Sequence, residues 1–84
     1  MEQKINELAA NAVAQAWDSW AAEHPNLARF IDRVTVTDRT VESLRNSDEY
    51  KKAVQGFHDA NNDLDFLNKI IDLAGPILLA LLAA

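Results

Sequence analysis

Hydrophobic residues near the N-terminus recur with the spacing of an amphipathic helix. Between Glu2 and Glu23 they fall three or four positions apart, which places them along one stripe of a helix. His24 and Pro25 should end this helix, because a residue that precedes proline is disfavoured in the helical conformation. The sequence thus predicts one long N-terminal helix with a stripe made of Ile5, Leu8, Ala9, Ala12, Val13, Ala16, Trp17, Trp20 and Ala21.

The middle of the chain predicts two short helices. Helical spacing continues over a second, short segment with Leu27, Phe30, Ile31 and Val34 on its apolar side. The β-branched run from Val34 to Thr37 has no second strand-like segment to pair with, so we interpret it as a connector. Thr37 or Asp38 is predicted to cap a third helix, with Val41 and Leu44 on its buried side.

A longer helix is predicted after Asn46 and Ser47, because this pair offers an N-cap and the next two residues, Asp48 and Glu49, are acidic. From Tyr50 onward the apolar residues keep a heptad register, which is typical of a coiled coil. Gly75 and Pro76 lie inside this register, and because the proline removes a backbone hydrogen bond, the helix either kinks there or ends with Gly75 as a left-handed cap. One core position of the register holds Tyr50, Phe57, Leu64, Ile71 and Leu78, and the other holds Ala53, Ala60, Leu67, Ala74 and Leu81.

These segments predict an all-α fold in a single helical domain over residues 1–84. We expect a small helical hairpin or bundle. It contains a long N-terminal helix, two short connecting helices, a long heptad-patterned helix antiparallel to the first, and a short apolar C-terminal helix. The chain has 84 residues with only 2 Gly and 2 Pro, which is too little turn chemistry for a β-sandwich or barrel.

Composition removes several classes of function. The net charge of −5 opposes non-specific binding to nucleic acid, which depends on clustered Lys and Arg. Cysteine is absent, which excludes disulfide scaffolds, zinc ribbons and thiol nucleophiles. The N-terminus lacks the basic and apolar regions of a secretory signal, so we expect the chain in the cytoplasm or within an assembly.

Enzymatic function is not expected. The run from Asp59 to Asp65 alternates oxygen ligands like a calcium loop, but Leu64 and Ile70 stand where glycine and glutamate are required. His24 precedes a proline at a helix end and is interpreted as a cap or surface residue. His58 could form a proton-relay pair with a carboxylate, but no Ser or Lys nucleophile stands at helical spacing to complete a catalytic set. We therefore predict no catalytic residue, no metal, no cofactor and no small-molecule substrate.

The most distinctive segment is residues 73–84, which carry no charged or hydrogen-bonding side chain. A helix that is apolar all round has to be covered on all sides. Twelve residues span only ~18 Å, which is short of a ~30 Å hydrocarbon core, and Asp72 blocks extension upstream. A conventional membrane-spanning helix is therefore disfavoured.

Three ways of covering this segment remain open. It packs with copies of itself or a partner protein, it enters a lipid surface, or it folds back as the central helix of a monomeric bundle. Residues 59–84 contain four acidic residues against Lys69 alone, and this balance favours a protein partner over an anionic membrane.

The sequence thus predicts a small structural or adaptor protein that self-assembles through its C-terminal helix, as in virion parts, filaments or secretion assemblies. The alternative is an effector that inserts the same helix into lipid after oligomerising. Trp17 and Trp20 share a face of the first helix and are predicted either to pack in the core or to anchor a partner. The predicted interface consists of Tyr50, Phe57, Leu64, Leu67, Ile71, Ile77, Leu78, Leu81 and Leu82.

Overall fold

The protein is built from five α-helices. A computed structural model describes residues 2–83, so Met1 and Ala84, the last residue of the apolar tail, lie outside the described residues. Within that range no residue is in a β-strand, and the predicted all-α bundle is confirmed. The helices are α1 (Glu2–Glu23), α2 (Pro25–Ala28), α3 (Arg33–Arg45), α4 (Asp48–Ala60) and α5 (Asp63–Ala83).

Two of the helix boundaries follow the sequence signals closely. α1 ends at Glu23, directly before His24 and Pro25, as predicted. The α4 boundary is set by Ser47, whose hydroxyl oxygen accepts a hydrogen bond from the backbone N–H of Tyr50 at 3.1 Å. This bond satisfies one of the amides that have no partner in the first turn of a helix.

The prediction for the start of α3 was wrong. The helix begins at Arg33 because Asp32 is its N-cap and accepts hydrogen bonds from the backbone N–H groups of Val34 and Thr35. The supposed connector from Val34 to Thr37 is therefore helical, and the Thr37 hydroxyl donates to the Arg33 carbonyl at 2.8 Å instead of capping. A well-placed cap outweighs the weak helix propensity of β-branched residues.

The second helix is also shorter than predicted. α2 covers only Pro25–Ala28, so Phe30 and Ile31 fall in the turn and Val34 belongs to α3. Phe30 consequently does not lie on a buried helical stripe and is 77% exposed.

The long heptad helix is divided at Asn61 and Asn62. Asn61 adopts a left-handed conformation (φ 52°, ψ 42°), and its N–H donates to the carbonyl of Phe57 at 2.7 Å. The Asn62 side chain then accepts a hydrogen bond from the N–H of Asp65 at 3.0 Å and caps α5. At Gly75 and Pro76, where either a kink or a left-handed cap was predicted, α5 continues and Gly75 is not left-handed.

This break reverses the chain, so the first and last helices are parallel. The Nζ of Lys4 lies 3.0 Å from the Oδ2 of Asp63, which joins the N-terminal ends of α1 and α5. Trp20 and Glu23, near the end of α1, line a groove with Leu79, near the end of α5. The predicted antiparallel pair of a long first helix and a longer fourth is replaced by α1 parallel to α5, with α4 folded back on α5.

The core is centred on α5, which packs against α1, α3 and α4. Phe66 meets the aromatic rings of α4, with ring centroids 5.1 Å from Phe57 and 6.4 Å from Tyr50. Thr40 is buried in the core, and its hydroxyl donates to the Val36 carbonyl at 2.8 Å. The buried apolar residues are Ile5, Ala9, Ala12, Val13, Trp17, Leu44, Tyr50, Ala53, Phe57, Phe66, Ile70, Ala74 and Leu78.

Replacing the α4 cap tests the contribution of this boundary to stability. Ser47→Ala leaves the Tyr50 N–H without its side-chain acceptor, and we expect a loss of about 1 kcal/mol. In a domain of this size that corresponds to a fall in Tm of about 4–8 °C, which calorimetry can measure. Ser43→Ala, at an exposed position within α3, is the matched control and should change Tm little. Equal effects of the two substitutions would contradict the role of the cap.

The α3 cap predicts a pH dependence. A hydrogen bond from the Thr35 hydroxyl, aided by backbone N–H groups, lowers the pKa of the Asp32 carboxyl below its ordinary 3.8. The stabilisation by ionised Asp32 is therefore fully present above that ordinary pKa and is lost as pH falls through the lower folded-state pKa. The Tm difference between wild type and Asp32→Ala should stay constant from about pH 7 to about pH 5 and shrink as pH falls further, through the folded-state pKa. A difference at about pH 2 as large as the difference at about pH 7 would contradict this assignment.

Candidate interaction surface

Exposed apolar side chains gather at one end of the bundle. Four of the five large ones lie where α1 ends, α3 begins and α5 finishes. Arg33, the first residue of α3, lies 3.9 Å from Asp18 of α1, which brings the start of α3 to this end. We call this surface the apolar end and define it by Leu27, Phe30, Val34 and Leu79. Among the described residues the five exposed large hydrophobics are Leu27 (58%), Phe30 (77%), Val34 (62%), Leu64 (66%) and Leu79 (54%).

The apolar tail has one covered face and one open face. Ala74 and Leu78 are buried by the chain itself, so folding back into the bundle accounts for the inner stripe. The outer positions between residues 75 and 83 bear only apolar side chains, and four of them are exposed. The prediction that the tail needs cover on all sides is thus met on one side only. The exposed outer residues are Pro76, Leu79, Ala80 and Ala83.

A groove joins Trp20 to this open face. Its volume is about 270 Å³, and its lining includes Trp20 from α1 and Leu79 from α5. The Trp20 ring lies 5.6 Å from Trp17 and 5.0 Å from His24, measured between ring centroids, so it packs against two other aromatic rings. The remaining lining residues are Ala16, Ser19, Glu23, Ile71, Gly75 and Leu78.

The two tryptophans therefore have different environments. Trp17 is only 5% exposed and belongs to the core, whereas Trp20 is half-buried and lines the groove. Of the two predicted anchors, only Trp20 is placed to touch another molecule without a rearrangement. The fold brings it beside the tail, a proximity that sequence spacing alone did not indicate.

The predicted heptad interface does not form one surface. Tyr50, Phe57 and Leu78 are buried within their own chain, and Leu64 is exposed at the opposite end of the bundle from Leu79. Five members are partly buried and offer only their edges, namely Leu67, Ile71, Ile77, Leu81 and Leu82.

Phe30 is a surface residue that sequence reasoning assigned to a buried stripe. The Arg29 guanidinium carbon lies 4.8 Å from the centroid of the Phe30 ring, in a cation–π arrangement. The early end of α2 at Ala28 moves this ring into solvent. The exposed rim around it contains both signs of charge, with Arg29 and Arg33 against Asp18 and Glu23.

Two further grooves lie elsewhere on the surface. One of about 420 Å³ runs between α4 and α5 and is lined by Glu49, Lys52, Ala53, Lys69, Asp72 and Leu73. The other, of about 320 Å³, contains Tyr50, Arg45 and His58. Burial raises the pKa of the Tyr50 hydroxyl, and nearby Arg45 only partly opposes this shift, so the phenol stays protonated at neutral pH.

Across residues 2–83 no cluster of three His, Cys, Asp or Glu side chains is arranged to hold a metal ion.

α5 has the length and composition to cross a membrane. Its 21 residues have a mean hydropathy of 1.8 in their most apolar window, and 22% of that window is buried in the bundle. The short length that disfavoured a membrane-spanning helix does not apply, because the tail is the second half of a longer helix. Lys69 and Asp72 still lie within the apolar window, and a core helix of a soluble protein passes the same test.

In comparisons with known proteins, no family model, no curated protein and no solved structure matches this chain.

Proposed function

We propose that this chain is a small, non-enzymatic structural or adaptor protein that self-associates through its apolar end. The observation that carries the proposal is Leu79, which is 54% exposed on a helix face without polar side chains and lies beside the Trp20 groove. Apolar patches of this kind on small proteins mark interaction sites, and tryptophan is over-represented among the residues that dominate binding energy. A subunit of a virion part, a filament or a secretion assembly would use such a surface.

A second copy of the chain is the occupant that the rim charges favour. Arg33 lies 3.9 Å from Asp18, and exposed Glu23 and Arg29 flank α2 in the chain, so a copy related by a two-fold rotation can place acidic groups against basic groups. A uniformly acidic or basic partner would meet like charges on part of this rim. The small size of the chain also favours association, because one core of this size provides little net stability.

Insertion of α5 into a lipid bilayer is the second candidate, and the length and hydropathy of this helix favour it. To insert, α5 has to withdraw Phe66, Ile70, Ala74 and Leu78 from the core of its own bundle. It also has to carry Lys69 and Asp72 into or beside the hydrocarbon, which is costly. Self-association at the apolar end requires neither step, so we rank it first.

A charge placed at Leu79 tests the proposed surface. We expect wild type to self-associate in sedimentation equilibrium and Leu79→Glu to weaken this association at least tenfold, because an unpaired carboxylate would be desolvated in the contact. Leu79 is exposed, so helix content should stay unchanged by circular dichroism.

Ala10→Glu is the matched control, since it adds the same charge at an exposed position in the N-terminal half of α1. It should associate like wild type. A wild-type chain that stays monomeric at millimolar concentration, or equal loss of association in the two variants, would contradict the proposal.

Flotation with vesicles tests the lipid alternative. We expect the chain to remain unbound to neutral phosphatidylcholine vesicles and to vesicles with added phosphatidylserine. Its net charge of −5 opposes anionic surfaces, and insertion would dismantle the core. Flotation with the neutral vesicles, together with loss of the Trp17 core signal in fluorescence, would favour membrane insertion over self-association.

A further inference from the structure

The joint between α4 and α5 is short and conformationally costly. Only Asn61 and Asn62 separate the two helices, and Asn61 is the sole non-glycine residue with positive φ among residues 2–83. Left-handed backbone is unfavourable for residues that carry a Cβ, although asparagine tolerates it better than most. A two-residue hinge under strain is the type of joint that favours exchange of an element between two copies.

The sequence at this joint is compatible with a continuous helix. No glycine or proline occurs between Gly56 and Gly75, and the apolar register passes from Phe57 through Ala60 and Leu64 without a shift. In the bent chain this part of the register has no cover, because Ala60 is exposed and Leu64 is 66% exposed. In the folded chain Ala60 and Leu64 therefore make no buried contact. If α4 and α5 formed one straight helix, these residues would lie on the same apolar face as Phe57.

α5 is also the element whose contacts another copy can reproduce. Its buried side chains pack on surfaces of α1, α3 and α4, and each copy of the chain offers these same surfaces. An exchanged α5 would recover the whole core in the partner, and only the hinge would change. The α5 of a second copy would therefore make the same contacts that α5 makes with its own chain.

We propose that two copies of this chain exchange α5 by straightening the joint at Asn61 and Asn62. α4 and α5 then form one helix from Asp48 to Ala83, about 54 Å long at a rise of about 1.5 Å per residue. The two straight helices cross at their hinges and cover Ala60 and Leu64 of each other. This contact goes beyond the proposed function, because it uses the end of α5 that lies opposite the apolar end.

Substitutions at Asn61 should move the equilibrium in opposite directions. Asn61→Gly relieves the left-handed residue and weakens a continuous helix, so it should lower the dimerisation constant by about 25-fold, or about fivefold for each of the two hinges. Asn61→Ala combined with Asn62→Ala removes the left-handed residue and the α5 cap, and should raise that constant by about 100-fold. Asn68→Ala, at an exposed position within α5, is the control and should have no such effect.

The intrachain distance between α4 and α5 distinguishes exchange from other association. The chain has no cysteine, so Lys52→Cys and Asp72→Cys place two spin labels uniquely. Both positions line one groove in the bent chain, whereas in a straight helix they lie about 30 Å apart. Labelled chains diluted into excess unlabelled chains, warmed to partial unfolding and cooled, report this intrachain distance by double electron–electron resonance.

We expect the dimer fraction to show the ~30 Å distance, most strongly in the double alanine variant and least in Asn61→Gly. Dimers with only the short intrachain distance would overturn the exchange and leave association at the apolar end intact. The exchange would also be overturned if Leu79→Glu abolishes association while Asn61→Gly leaves it unchanged. If the double alanine variant does not fold, equal dimer fractions in wild type and Asn61→Gly would by themselves overturn the exchange.

Discussion

The packing of α5 along α1 is the contact on which the rest of the structure depends. α1 presents Ala9 and Ala12 at complete burial, and such small side chains let a neighbouring helix approach closely. The buried side chains of α5 form a stripe at four-residue spacing, which consists of Phe66, Ile70, Ala74 and Leu78. Because this stripe occupies one face of a helix that is apolar on most sides in its second half, the same contact that builds the core leaves the opposite face exposed.

Local signals were sufficient where a single physical preference decided the outcome. The three-to-four spacing from Ile5 to Trp20 and the proline after His24 predicted α1 correctly. The cap offered by Asn46 and Ser47, with the acidic residues after it, predicted the start of α4. At the start of α3 several residues competed to cap. Asp32 is the N-cap in the structure, whereas Thr37 or Asp38 was predicted. The β-branched residues from Val34 to Thr37 had been interpreted as a connector and are helical.

The division of the heptad helix shows what periodicity cannot detect. One left-handed residue at Asn61 reverses the chain without disturbing the spacing of the apolar residues around it. The sequence did contain a local signal for this break. Asn61 and Asn62 are followed by an acidic residue, which is the same pattern that predicted a helix start after Asn46 and Ser47. The predicted direction of the last helix was wrong for the same reason. The chain reversal at Asn61 makes α5 parallel to α1, whereas a continuous helix was predicted antiparallel to it.

The candidate surface was partly predictable for the same reason. The apolar tail was evident from residues 73–84, but its pairing with Trp20 depends on the direction of α5, and the exposure of Phe30 depends on the early end of α2. The most direct test of self-association at the apolar end is a dilution series of methyl-labelled protein followed by NMR. Self-association at the apolar end predicts concentration-dependent shifts for the methyl groups of Leu27, Val34 and Leu79 and none for buried Ile70. Spectra that do not change up to millimolar concentration, or shifts confined to Leu64, would contradict it.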